Sequence, residues 1–383
     1  MSEQCFFDLL KLHDVQVLMH TERSALQAEM IMSMNRRELL AGAGALAAAV
    51  ATRSEAQTQS RAKVIDVHTH MYSHGWVKAV EEAADPTFRI GENNALIYRG
   101  GSIGRMTPPM LDWDLRIKDM DDAKVDVALI SLTAPNVYWG TRAQSVAAAR
   151  AINDDFLAAQ RKYGGRIRWF ASLPFQHETD ALDELRRAKD NGAIGVCTLT
   201  NILGTALTEP QYRAIWRECA AMQLPVFIHP TTPFTDGMGL ADFGLGNTIG
   251  FTSDTSLCFA KLILAGVLDE LPDLQLIACH GGGAFPYLAA RFDIMWQRTT
   301  SARKIEAPPS SYLKRLWYDS IVYDQPTLDF LIERVGADRV LYGSDYPFTI
   351  GDMKGILARV DSLPHAHRDA IRSSNAERLF DLS

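Results

Sequence analysis

Residues 63–70 read Lys-Val-Ile-Asp-Val-His-Thr-His, an apolar run that closes on His68 and His70. Two residues apart on extended backbone, both imidazoles point to one face and can share one ion at about 2.0–2.1 Å. Working outward along the chain, three more apolar runs end in the same way. They are LPVFIH at 224–229, LQLIACH at 274–280 and RVLYGSD at 339–345, closing on His229, His280 and Asp345. Each is short enough to be a buried strand.

The spacing of these runs predicts the fold. Strand-like segments at 63–68, 125–131, 167–172, 193–200, 224–229, 274–280, 316–321 and 339–344 alternate with helix-like ones at 144–163, 178–190, 209–222, 255–270 and 325–335. Eight strands alternating with helices over about 320 residues predict a (β/α)8 TIM barrel, whose catalytic groups project from the C-terminal strand ends. The metal-type residues fall at those ends on strands one, five, six and eight. A doubly wound open sheet would show a Gly-rich phosphate turn after strand one, where this chain has His-Thr-His. Residues 71–110, with GENN and RGGSIGRMTPP, read as a long insertion after strand one that covers the site.

Three histidines and one aspartate, His68, His70, His229 and Asp345, make a zinc set with room for water or substrate. The nitrogen-rich shell favours Zn2+ as the single divalent transition metal, with Mn2+ or Fe2+ as the alternatives. One ion is expected because the strand-four run AIGVCTLT offers no lysine or acid to bridge two. His280, before Gly281-Gly282-Gly283, is assigned proton transfer rather than a fifth ligand position; the glycines let the backbone approach a ligand closely. Asp345 serves both as ligand and as a carboxylate able to accept a proton. Asp319 and Asp324 are either acceptors that orient ligand histidines or caps of turns and helices. His74, His177, His365 and His367 read as structural or solvent-facing. Tyr138, Trp139, Phe234, Phe285 and Phe348 are pocket or core aromatics.

The rest of the composition bounds the function. The chain has 383 residues, 47% of them hydrophobic, and a net charge of -7, which suits one large core and gives no basis for nucleic-acid binding. Five cysteines lack C-x-x-C spacing, so no thiolate cluster or disulfide framework is expected. Cys279, next to His280, is expected to face the helix layer by strand alternation. From Met34 the chain reads MNRRELLAGAGALAAAVATRSEAQ: a basic start at Arg36 and Arg37, an apolar stretch from Leu39 to Val50, and Ser54-Glu55-Ala56 as a cleavage site. The pattern at 34–56 resembles a twin-arginine export signal. Its apolar stretch is short of the roughly 20 residues that span a bilayer. Residues 1–33 are then an upstream extension, the folded domain covers 63–383, and the mature protein is periplasmic with no stable membrane insertion. A cytoplasmic protein is the alternative.

VIDVHTH, FIHP, CHGGGAFPYLAARFD and YGSDYPF together resemble the amidohydrolase-related, metal-dependent decarboxylases, a likeness that runs from about Lys63 to the C-terminus. WDLRIKDMDDAKVDVALIS and the Tyr138-Trp139 pair also fit. The resemblance implies a barrel, usually a homodimer, that removes CO2 from a small carboxylated conjugated or aromatic-derived substrate without an organic cofactor. By position it makes His68, His70, His229 and Asp345 metal ligands and His280 the catalytic histidine. It makes Arg291 an arginine that reaches the neighbouring subunit's site to hold a carboxylate, and places Arg105 near a second carboxylate-binding arginine. After the strand-five His-Pro the chain has Thr231 and Thr232 where the family carries an aromatic residue, which implies a different substrate pocket. The alternative reading is a hydrolase of a lactone or amide, or a hydratase, that uses a water activated by the metal.

Overall fold

The computed structural model describes residues 62–98, 101–231, 239–240, 242–299 and 304–382. The leader reading over 1–56, with Arg36 and Arg37, lies outside the described residues, as do Cys5, Thr232 and Phe234. Eight strands form one parallel sheet in the order β1 (Ile65–His70), β5 (Val127–Ser131), β6 (Ile167–Ser172), β7 (Gly195–Leu199), β10 (Val226–His229), β11 (Leu276–Ala278), β12 (Trp317–Asp319) and β13 (Val340–Leu341). β2 (Phe88–Ile90), β3 (Ala95–Tyr98) and β4 (Gly101–Arg105) form a small antiparallel sheet in the insertion after β1, and β8 (Asn201–Ile202) pairs with β9 (Thr205–Ala206) as a hairpin. An isolated parallel bridge from Thr69 to Tyr346 brings the two ends of the large sheet together, giving the expected TIM-type barrel.

Every barrel strand contributes an inward residue to one apolar cluster, including Val67, Leu129, Phe170, Cys197, Phe227, Ile277, Trp317 and Leu341. The second cluster, with Val226, Ile228, Leu276 and Ala278, faces the helices. Such strands, buried on both faces, read as continuous hydrophobic runs. The helices are started by local caps: Thr141 and Gln144 form a reciprocal box at Arg142–Tyr163, and the Asp112 side chain accepts from Leu115 N at Trp113–Ala123. Helices at Trp113–Ala123, Phe285–Arg298 and Met353–Asp361 complete the outer layer beyond those the periodicity predicts.

Two local departures from strand alternation decide where the site residues point. The β1/β5 register slips between Asp66 and Thr69, a bulge that puts one extra residue in β1. Val67 therefore belongs to the inner cluster while His68, the next residue, also turns inward, its ring 4.8 Å from that of Phe227. The second departure corrects the expectation for Cys279. Cys279 packs in the inner cluster, not against the helices, with Sγ 2.9 Å from the Ile228 carbonyl oxygen. Alternation was anchored on His280, but β11 ends at Ala278 and His280 has φ 55°, so the chain turns there and both side chains face inward.

Candidate active site

The rim at the C-terminal ends of β1, β10, β11 and β13 gathers the predicted residues. One donor atom each from His68, His70, His229 and Asp345 lies within 4.8 Å of the others, and all four residues are buried. The His68 and His70 Nε2 atoms are 3.0 Å apart and stand 3.5 and 3.4 Å from Asp345 Oδ1. The imidazole of His280 is tilted toward the same point, with Nε2 3.6 Å from Asp345 Oδ2. Gly343 makes this approach possible, because a Cβ there would lie 2.8 Å from His68 Cβ.

Each histidine of the set is held by its other nitrogen. His68 Nδ1 meets Asp319 Oδ2 at 2.6 Å, His70 Nδ1 meets Ser131 Oγ at 3.0 Å, and His229 Nδ1 is 2.7 Å from the Pro230 carbonyl oxygen. The three Nε2 atoms are thereby turned to the centre, the arrangement that fixes tautomer and orientation around a metal. The Asp345 Oδ1 atom at that centre is buried with no hydrogen-bond partner, which a cation would satisfy. Three nitrogens and one carboxylate oxygen fit a single divalent metal ion.

The electrostatics of the four groups differ. Burial drives His70 down to about 4 and His229 well below the ordinary imidazole value, so both favour the unprotonated form a ligand needs. For His280 burial pulls down, but the nearby Asp345 carboxylate, with the charge of Asp319, outweighs it and leaves the imidazole raised. Burial pushes Asp345 up; the close approach of the His280 and His70 imidazoles and the histidine charges overcome that and hold it well below the usual carboxylate range. His280 and Asp345 also share left-handed backbone, φ 55° and 57°. Non-glycine residues adopt this at a cost, and such strain concentrates at active sites.

The two aspartates left open by the sequence separate here. Asp319 accepts from His68, from His280 N at 2.8 Å and from Gly281 N at 2.9 Å, so one carboxylate holds the His68 ring and the His280 backbone together. Asp324 accepts from Thr327 N and caps helix Gln325–Val335. Ser131 is a holder the sequence reading missed; a hydroxyl closing the apolar run VALIS was its only signal. The glycines after His280 also pack closely against protein: a Cβ on Gly283, at φ 63°, would strike the Thr252 carbonyl oxygen at 2.2 Å.

Other candidates lie apart from this cluster. Arg291, on helix Phe285–Arg298, and Arg105, at the end of β4, are both exposed. His74 starts helix His74–Ala83, His177 precedes helix Glu178–Asp190 without a side-chain cap bond, and His365 pairs with Asp369 on the surface. Phe348 packs its ring 5.5 Å from that of His70, whereas Trp139 and Phe285 are core. A cavity of about 230 Å³ opens by the β7 and β10 ends, lined by Tyr98, Tyr138, Thr200, Thr231 and Asp254; it reaches Thr231, not the histidines.

Fold and site together define a metal-dependent barrel enzyme. The chain belongs to the amidohydrolase family, whose model matches residues 65–382. It is 30% identical over 293 residues to the gamma-resorcylate decarboxylase of a Rhizobium species, covering 70% of this chain and 87% of that one. It is 27% identical over 299 residues to the 2-amino-3-carboxymuconate-6-semialdehyde decarboxylase of Dictyostelium discoideum, covering 76% and 83%. Among solved structures, the apo form of Metarhizium anisopliae IDCase matches with a TM-score of 0.75 and 26% identity over 84% of this chain and 98% of that one.

Proposed function

We propose that this protein is a metal-dependent decarboxylase acting on a small aromatic or conjugated carboxylic acid. The observation that carries this reading is the His280–Asp345 pair: an imidazole set 3.6 Å from a carboxylate of the four-donor cluster. A bound metal, Zn2+ by the preference of a three-nitrogen donor set, would polarise the substrate. His68, His70, His229 and Asp345 would hold it. Loss of CO2 leaves an electron pair on carbon, and a proton must be delivered there. His280 stands to deliver it, with Asp319 accepting from its backbone N–H and the Asp345 carboxylate stabilising its protonated form, and solvent returns a proton to the imidazole after each turnover. Burial of the cluster excludes competing water.

Arg291 and Arg105 hold substrate carboxylates in this reading, Arg291 from the second subunit of a homodimer. Its helix supports the dimer: Tyr287, Ile294 and Met295 are 77%, 46% and 54% exposed around Arg291, and the Tyr287 ring lies 6.3 Å from that of Phe330 on the next helix. An apolar face of that kind with a charge at its centre suits burial against a copy of itself. Export through the twin-arginine machinery rests on the Arg36-Arg37 pattern alone. Replacing both with Lys should leave the precursor inside the cell, and full-length, uncleaved protein in wild-type cytoplasm would overturn it.

The deciding assay measures CO2 release by the metal-loaded protein from a panel of phenolic acids and carboxylated dienes. In heavy water the product should carry deuterium on the carbon that lost CO2. Solvent oxygen in a new carboxylate, with no CO2 released, would instead make the protein a hydrolase.

A further inference from the structure

The barrel closes at a seam where β1 meets the chain after β13 through the isolated bridge from Thr69 to Tyr346. Three of the four metal-type residues, His68, His70 and Asp345, sit on this seam. Main-chain bonds hold it at Val67 N to Tyr342 O (2.9 Å), Asp345 N to His68 O (2.8 Å) and His70 N to Tyr346 O (2.8 Å). Behind them lies a buried arginine that the mechanism does not use. Arg116, 0% exposed, donates Nη1 to Thr69 Oγ1 at 2.6 Å and Nη2 to the His70 carbonyl oxygen. Its guanidinium carbon stands 4.6 Å over the Tyr346 ring, Thr69 Oγ1 donates on to Tyr346 O at 3.0 Å, and the Tyr346 hydroxyl donates to Asp119 on the helix that bears Arg116.

These contacts fall on a ligand's own carbonyl, on the residue between two ligands, and on the neighbour of a third. We propose that Arg116 is a positioning residue that clasps the barrel seam and sets the spacing of His70 and Asp345 for the metal. The inference rests on reading the four donors as a metal site. A planar fork suits this place because two different nitrogens grip two different oxygens while the plane covers a ring; an ammonium carries its three donors on one nitrogen and has no plane to lay over the ring.

The test is metal affinity, measured by chelator competition with Zn2+ and then Mn2+ alone. Arg116→Met should weaken binding by about 10–100-fold, the range found when groups supporting ligands are removed. Arg116→Lys should show an intermediate loss, and Tyr346→Phe, which keeps the ring but cuts the tie to Asp119, a smaller one. As a control, Ile152→Ala truncates a fully buried core residue on helix Arg142–Tyr163 and should lower the unfolding midpoint without changing metal affinity. Wild-type affinity in the arginine variants, or equal metal loss in the control, overturns the clasp. Should Arg116→Met fail to fold, the Lys and Phe variants decide on the same scale. A wild-type protein that binds neither ion removes the metal reading, and the clasp with it.

Discussion

The histidine cluster on the rim and the face of helix Phe285–Arg298 differ in what surrounds their polar groups. His68, His70 and His229 are buried, and each has one nitrogen held by a partner from its own chain. Arg291 stands exposed among exposed Tyr287, Ile294 and Met295. In the function proposed above, the bond-making residues all come from one chain, while recognition of the substrate's carboxylate is proposed for a surface that a second chain would cover. The difference is energetic as well as geometric: preorganised groups in a dry site act without reorganisation, whereas an exposed arginine gains strength only once it is covered.

Removing a group from the buried cluster should have the largest effect. His68→Ala should take the metal content of purified protein from one ion per chain to none, with activity lost; retention of the ion would break the assignment of the cluster. His280→Asn should fall next, leaving the metal content at one and lowering turnover by roughly 10²–10⁴-fold. Metal loss in this variant would make His280 a ligand instead of the proton carrier.

The exposed side of the comparison is tested by mixing. Arg291→Ala should cost about 10–100-fold in kcat/KM, as expected for a charge-assisted contact. A mixed dimer of Arg291→Ala and His280→Ala chains should recover about half the wild-type activity, because one of its two sites takes both residues intact. With subunit exchange verified, failure to recover would return Arg291 to its own chain's site or remove it from the site.

The same contrast explains what the sequence made legible. Residues that end apolar runs, such as His229 and Asp345, announce both strand and site, because burial and chemistry meet at one position. His68 and His70 were legible as a same-face pair, but the bulge that turns them inward leaves no mark in KVIDVHTH. Cys279 was misjudged because the left-handed turn at His280 breaks alternation where a metal-type residue seemed to define it. Arg116 was illegible: it lies in the charge-rich stretch WDLRIKDMDDA, yet it is buried together with Met120 and Ala123. Pairing across the seam is a tertiary fact with no local signal.

Asp319 and Asp324 give the smallest and sharpest comparison, being two carboxylates five residues apart that the sequence could not tell apart. Asp324 accepts one backbone bond from Thr327 at 3.0 Å on the surface. Asp319 is 0% exposed and accepts from His68, His280 N and Gly281 N. Asp324→Ala removes a helix cap and should cost about 1 kcal/mol of stability. Because the cap touches neither the histidines nor their partners, kcat, KM and metal content should stay at wild-type values. Asp319→Asn keeps the shape but replaces an acceptor by a donor on one side, so it should depress turnover and metal affinity together. Equal kinetic effects from the two substitutions would mean that helix Gln325–Val335 is coupled to the rim as a rigid unit, and that the division between a supported site and an ordinary helix start has been drawn in the wrong place.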